Sequence, residues 1–444
     1  MTPFRARHLP PFIRSWVKGK AGMGAIVENT GWLLGDKVVR MGVGLVVSVW
    51  VARYLGPAQF GKLNFVVSFV ALFSILATLG LDGIVVRELV HHPEEKHEIL
   101  GSTLLLRSCG AVLTLLLSVA AMALLRGRES EFVTLAAVIA AGALFQSMDA
   151  LDFWFQSQVQ SKYTVWAKNS AFLIVAAVKV FLIISRAPLI AFALAITGEF
   201  AVGAVALFVV YTRRGDSLLL MKPALSRALS LLRDSWPLML STLSIIIYMK
   251  IDQVMLGEMV GNSAVGVYDA AAKLSEIWYF LPMIIVSSVF PTILESRLTD
   301  EAFYYRRLRR LFRLMSALAL TIALPMTFLA GPIIRLLYGE SFAAAGPVLS
   351  VHIWASLFIF LGVAQSPWDL AENYTRLSLM RTTGGAVLNI ALNCFLIPRY
   401  SVMGAAVATV VSYAFSSYLL NLVSKRTRKI FVYQTRSLFF LGRD

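Results

Sequence analysis

The sequence predicts an all-α integral membrane protein: twelve transmembrane helices in two six-helix bundles related by a pseudo-two-fold axis along the membrane normal. Three observations predict this. Of 444 residues, 58% are hydrophobic and 15% charged, whereas a soluble domain is roughly half apolar and a quarter charged. The apolar residues gather in runs long enough to cross a bilayer, which takes about 20 residues. A glycine, four residues, glycine pattern recurs at Gly56–Gly61 and Gly261–Gly266, close to half the chain apart.

A basic arm, residues 1–29, opens the chain with Arg5, Arg7, Arg14, Lys18 and Lys20. It lacks the compact apolar stretch and small-residue cleavage site of a signal peptide, and is expected to lie on anionic lipid rather than nucleic acid. The first bundle, 30–211, holds spans at 30–54, 57–81, 100–125, 130–152, 164–185 and 188–211. A basic linker at 212–236 alternates Arg213, Arg214, Lys222, Arg227 and Arg233 with leucines, and reads as an interfacial amphipathic helix. The second bundle, 237–423, holds spans at 237–258, 265–290, 312–334, 347–365, 380–397 and 402–423. A basic tail, 424–444, closes the chain. Runs such as 66–79 and 111–125 are too continuously apolar for membrane β-strands, which alternate. Cys109 and Cys394 lie in apolar stretches and are expected to be small buried hydrophobes.

The net charge is +16. In a soluble protein that would suggest nucleic acid; here its placement sets the topology. With the N-terminus inside, the inner segments hold 27 of 41 Lys and Arg, the outer segments 7, and the spans the remaining 7. Excess Lys and Arg mark the cytoplasmic side, so both termini are expected there. Six spans per half give both bundles one orientation, a parallel repeat with a substrate path between the halves. In each Gly-x4-Gly turn, glycine permits positive φ and close approach of helices.

The ordered set Asn29–Arg40 (NTGWLLGDKVVR), Val51–Gly61 (VARYLGPAQFG), Leu79–Gly83, Arg87-Glu-Leu, Tyr248–Gly257 (YMKIDQVMLG) and Gly266–Lys273 (GVYDAAAK) resembles the polysaccharide-biosynthesis flippases. These are the O-antigen type within the multidrug/oligosaccharidyl-lipid/polysaccharide (MOP) exporter superfamily, and the resemblance covers about residues 25–423. It implies two bundles around a central cavity, alternating access, and flipping of polyprenyl-diphosphate-linked glycans, O-antigen or exopolysaccharide repeat units, in the bacterial inner membrane. Membrane lipids, a glycan polymerase and glycosyltransferases are the implied partners.

Charge inside a span is costly, about 2.5–3.5 kcal/mol per residue at a helix centre, so such residues face a cavity or a partner. Arg40, Lys250 and Lys273 lie deep and suit a diphosphate or acidic sugars; Lys37 neighbours them. Arg107, Lys168 and Lys179 lie nearer span ends, where snorkelling competes with a cavity role. Asp36 and Arg40 are one turn apart and can pair, as can Asp269, Lys273 and Glu276, spaced i, i+4, i+7. Asp252, with Asp36 or Glu276 behind it, is the natural proton or cation site. The expected substrate-cavity set is therefore Arg40, Lys37, Lys250, Lys273, Arg107 and Lys179. The coupling-ion or ion-pair set is Asp36, Asp252, Asp269 and Glu276. Gln146, Asp149, Gln156 and Gln160 line one face at the inner end of the fourth span. Phe153, Trp154, Phe155, Tyr163 and Trp166 flank a turn there and read as interfacial anchors.

No G-x4-G-K-[ST] or H-E-x-x-H motif occurs, and no catalytic role, metal or cofactor is expected. His91, His92 and His97 sit among Glu94, Glu95 and Glu98, a solvated charged loop by default. The expected function is a lipid-linked-oligosaccharide flippase. Its energy comes from a proton or sodium gradient, the membrane potential, or one-way removal of product. The alternative is an ion-coupled drug antiporter of the same superfamily, whose site would favour acids over bases.

Overall fold

The computed structural model describes residues 23–439, so residues 1–22 of the basic arm and 440–444 of the tail lie outside it. The first half comprises α1 (Met23–Phe73), α2 (Ile75–Thr78), α3 (Asp82–His91), α4 (Lys96–Arg126), α5 (Ser130–Gln146), α6 (Ala150–Ser157), α7 (Lys162–Ile184) and α8 (Leu189–Arg213). The second comprises α9 (Leu225–Met259), α10 (Asn262–Glu276), α11 (Phe280–Thr299), α12 (Glu301–Tyr338), α13 (Ala345–His352), α14 (Ala355–Ala371), α15 (Thr375–Ala414), α16 (Leu420–Val423) and α17 (Arg428–Leu438).

Among the described residues, ten helical stretches are long and apolar enough to cross a membrane. Two of them bend sharply, α1 at Gly56 (φ 69°) and α15 at Ser401 (φ 51°), and each holds two crossings. The expected twelve spans are therefore present. The protein is a multi-pass membrane protein.

Three local features differ from expectation. Residues 225–236, read as part of a separate linker helix, run without a break into the seventh span as the start of α9. Pro237 sits inside this helix, and continuity means that its missing N–H is tolerated where the chain enters the bundle. The eighth span is two helices, α10 and α11, joined by a 3-10 turn at Ile277–Tyr279. Pro282 has no N–H for the carbonyl of Trp278, so the helix tightens just before it. The basic stretch 291–311, left between the eighth and ninth expected spans, is helical: α11 runs to Thr299 and α12 begins at Glu301. The carboxylate of Asp300 caps α12, accepting from the Phe303 N–H at 3.0 Å.

The apolar cores show how the halves meet. At the Gly56/Gly261 end, both bundles share one core, with Phe60, Phe65 and Phe69 from the first and Val265, Tyr268 and Leu274 from the second. At the opposite end each has its own: Leu81, Leu100, Phe153 and Tyr211 in the first bundle, Phe312, Phe360 and Trp368 in the second. Leu231 of α9 joins the first of these. The bundles are thus sealed together at one membrane face and hold separate cores at the other.

The two glycine turns make that seal, and the glycines divide the work. The first of each pair turns the chain, with φ 69° at Gly56 and 119° at Gly261. The second permits contact: a Cβ on Gly61 would lie 1.8 Å from the Asn262 carbonyl oxygen, and one on Gly266 2.1 Å from that of Pro57. The repeated motifs therefore pack on each other. Arg126 reinforces the seam, donating to the Gly257 carbonyl at 2.8 Å and pairing with Glu258 at 3.0 Å.

The opposite face is laced by ion pairs to the linker. Arg227 meets Glu88, Glu95 and Glu98, Lys96 meets Asp216, and Arg87 meets Asp234 at 2.9 Å. The acidic side chains around the histidine cluster thus fasten the linker to the first bundle. Phe153 and Phe155 are buried in the core rather than anchoring at an interface, and Lys96 caps the Trp154 ring at 3.9 Å; Trp166 is exposed. Cys109 and Cys394 are exposed, not buried: they lie on outward faces of apolar helices, where lipid replaces core.

Candidate functional site between the bundles

Charged side chains on α1 and α10 meet where the shared core ends. A cavity of about 410 Å³ lies there, lined by Lys37, Arg40 and Ser48 of α1 and by Lys273, Glu276 and Tyr279 across from them. Arg40 also lines a side cavity of about 230 Å³ within the first bundle, with Gln146, Asp149, Lys168 and Glu199. Lys273 and Ser48 also line a third cavity of about 120 Å³, together with Lys179 and Asn64. Arg40 and Lys273 are therefore the walls between a central chamber, a polar side room and a smaller, mostly apolar one.

The geometry of these cations follows from helix periodicity. Arg40 pairs with Asp36, one turn earlier, at 3.0 Å, and Lys273 with Asp269 at 2.9 Å. Arg40 also donates to the Lys168 carbonyl at 2.6 Å and lies 5.1 Å from the Phe172 ring centroid. Lys273 donates to Ser48 Oγ at 3.1 Å, bridging the bundles, and caps the Phe60 ring at 4.6 Å. Lys179 reaches Glu199 at 3.8 Å. Lys37 and Lys250 make no ion pair among the described residues. The Lys37 ammonium contacts Met283 Sδ across the cavity at 3.8 Å. Lys250 is half-buried, outside the lining of these three cavities, within electrostatic reach of Glu276.

Arg107 lies elsewhere. It is 3% exposed, with Asp82 at 3.8 Å, the Ala77 carbonyl at 3.5 Å and the Phe153 ring at 5.1 Å. It neither snorkels nor lines the three cavities, because α2, α3 and α6 supply polar and aromatic partners in place. Lys168 is likewise satisfied by Asp149 at 2.8 Å and Asp152 at 3.2 Å.

Asp252 on α9 is 3% exposed and has no basic partner among the described residues. Its carboxylate instead accepts from the Tyr268 hydroxyl at 2.6 Å, the Asn393 amide at 2.5 Å and the Thr409 hydroxyl. Asn393 in turn donates to Asn389 Oδ1 at 3.1 Å. Four polar groups from α10 and α15 thus surround one carboxylate of α9.

Two features escape the charge-by-charge reading. Glu199 bridges Arg40 and Lys179, though a single acid in the apolar run 189–211 was itself a signal. The neutral shell of Asp252 was marked by the i, i+4 spacing of Asn389 and Asn393 in an otherwise apolar span.

A sequence model of the family described as polysaccharide biosynthesis protein matches residues 26–297. The chain belongs to that family. Among individual proteins, it is similar to a probable flippase, AglR, from Haloferax volcanii, at 31% identity over 45% of this chain. The chain spans less than half of that relative, 42% of its length. Among solved structures it matches a multidrug resistance MATE family transporter of the MOP superfamily in an inward-facing conformation, with a TM-score of 0.72 and 15% identity over 90% of this chain and 94% of the other. It also matches the lipid II flippase MurJ in an inward closed conformation, with a TM-score of 0.70 and 16% identity over 93% and 91%. The polysaccharide biosynthesis family member described here thus has the MOP transporter fold, as its sequence resemblance implies.

Proposed function

We propose that the protein flips a lipid-linked oligosaccharide by alternating access. The glycan and its diphosphate ride in the chamber between the bundles while the polyprenyl tail stays in lipid. One observation carries this reading: a cavity whose two sides present Arg40 and Lys37 against Lys273, in a member of the polysaccharide biosynthesis family. Guanidinium and ammonium groups are the natural partners of phosphate oxygens. The MOP fold alone is shared with drug transporters and does not separate the two cargoes; the basic chamber favours the anionic one. The role is that of a non-enzymatic secondary transporter.

The charge bias puts both termini in the cytoplasm. The Gly56/Gly261 seam then closes the outer face, and the bundles hold separate cores on the inner side, an arrangement suited to loading from the cytoplasm. The bacterial inner membrane, the O-antigen or exopolysaccharide cargo, and cooperation with glycosyltransferases and a polymerase belong to this proposal. So does coupling to a proton or sodium ion at Asp252.

The test is export of the cell-surface glycan in cells relying on this chain alone. Arg40→Ala and Lys273→Ala are each expected to lower export at least about tenfold with membrane levels unchanged, since each removes a charge-assisted partner worth about 1.5–3 kcal/mol. Normal export by the double variant would refute the cavity assignment.

A further inference from the structure

We propose that Glu199 is a resident counter-anion that occupies the place of the cargo's phosphate when the chamber is empty. It rests on the glycan-lipid reading above and assigns a residue to the loading step. Glu199 is the one charge in the apolar run 189–211. Its two oxygens go to two cations on different helices: Oε1 lies 3.5 Å from Arg40 on α1, and Oε2 lies 3.8 Å from Lys179 on α7.

The two acids that pair with Arg40 and Lys273 along their own helices behave differently. Asp36 and Asp269 each pair with a cation one turn away on their own helix, at 3.0 and 2.9 Å. Those pairs are short and travel with the helix. The contacts of Glu199 are long for charge-assisted hydrogen bonds, which lie near 2.7–2.9 Å, and they cross between helices. Glu199 therefore loses less than Asp36 or Asp269 when its partners are taken over. A phosphate group also sets two anionic oxygens on two cations, so it can replace the carboxylate oxygen for oxygen.

The position suits an exchange. Arg40 lines the central chamber and the side room that Glu199 lines, while Lys179 lines the third cavity beside Lys273. The Glu199 side chain is 25% exposed and shares its 230 Å³ room with the Gln146 amide, so a displaced carboxylate has polar space to enter. Its return neutralises both cations and expels the phosphate. Glu199 is thus a positioning residue that sets the balance between capture and release.

The test uses the full chain in lipid nanodiscs, with inorganic pyrophosphate as the probe and calorimetric titration as the readout. Glu199→Gln keeps the shape and removes the competing charge. It is expected to bind pyrophosphate about tenfold more tightly than the parent, and in cells to lower both the apparent KM and the maximal rate of export. A purely structural carboxylate gives unchanged or weaker binding, and either result overturns the proposal. If Glu199→Gln does not fold, Lys179→Met decides: it is expected to weaken binding about tenfold, and unchanged affinity overturns the counter-anion role. Arg40→Ala separates the two readings. Loss of binding in Arg40→Ala with parental affinity in Glu199→Gln leaves the chamber standing and removes Glu199 from it. Full binding in Arg40→Ala sinks both.

Discussion

Gly61→Ala and Gly266→Ala are each expected to abolish export while the protein still reaches the membrane. Each new methyl would meet backbone, not a yielding side chain: 1.8 Å from the Asn262 oxygen, or 2.1 Å from the Pro57 oxygen. Overpacking typically costs about 1–3 kcal/mol, and backbone neighbours put this case at the upper end. About 3 kcal/mol against one of two states shifts their ratio roughly a hundredfold. The strain falls on the seam between bundles, so it opens the seam instead of melting either bundle. Gly56→Ala is the contrast: its φ of 69° strains any other residue, by about 1–3 kcal/mol, but its Cβ would touch nothing within 4 Å. That variant is expected to lose stability without opening the seam. The measurement is labelling of Ser48→Cys, which lines the chamber, by a membrane-impermeant thiol reagent from outside, after the exposed Cys109 and Cys394 are replaced by serine. Labelling is expected in the Gly61 and Gly266 variants and not in the parent. Equal labelling in all of them would mean that the glycine seam does not gate access.

The fold was legible because the bilayer allows so few solutions. Apolar runs long enough to cross a bilayer read directly as spans. The paired glycine turns were legible as turns, though their contact with each other needed coordinates, since nothing local brings residue 61 to residue 262. Charge stripes one turn apart were equally readable: Asp36–Arg40 and Asp269–Lys273 formed as helix geometry requires. What failed was long-range compensation. Arg107 looked like a chamber residue or a snorkeller because its partners, Ala77, Asp82 and Phe153, lie far off in sequence on other elements. Glu199 was passed over because no basic residue lies within a turn or two of it, and its cations come from α1 and α7. The break in the eighth span was readable from Pro282, but its consequence, a 3-10 turn beside the chamber at Glu276, was not.

Asp252→Asn is expected to remove ion-dependent export almost completely while preserving the fold. Replacing Asp252 by alanine would confuse the two effects. It would leave the donors of Tyr268, Thr409 and Asn393 without their acceptor, at about 1–3 kcal/mol each for buried groups. Asparagine removes the charge and keeps one acceptor oxygen for the Tyr268 and Thr409 hydroxyls, while its amide nitrogen replaces the oxygen facing Asn393, whose own amide can turn its oxygen toward it. Among the described residues that charge has no Lys or Arg beside it, and an unpaired carboxylate in a low-dielectric interior is costly. The hydroxyl oxygens of Tyr268 and Thr409 lie against the carboxylate, and oxygen donors of this kind are what hard cations take. The purified protein reports occupancy directly, because a ligand bound only to the folded state stabilises it by RT ln(1 + [L]/Kd), about 2.7 kcal/mol at a hundred times Kd. For a sodium site, the parent's unfolding midpoint should rise with sodium chloride but not with choline chloride at equal ionic strength, and Asp252→Asn should lose that response. For a proton site, the midpoint should follow pH in the parent, not sodium, and again not in the variant. If the variant exports normally and its midpoint responds to sodium and pH as the parent's does, Asp252 is a structural hub joining α9, α10 and α15, and the energy enters elsewhere.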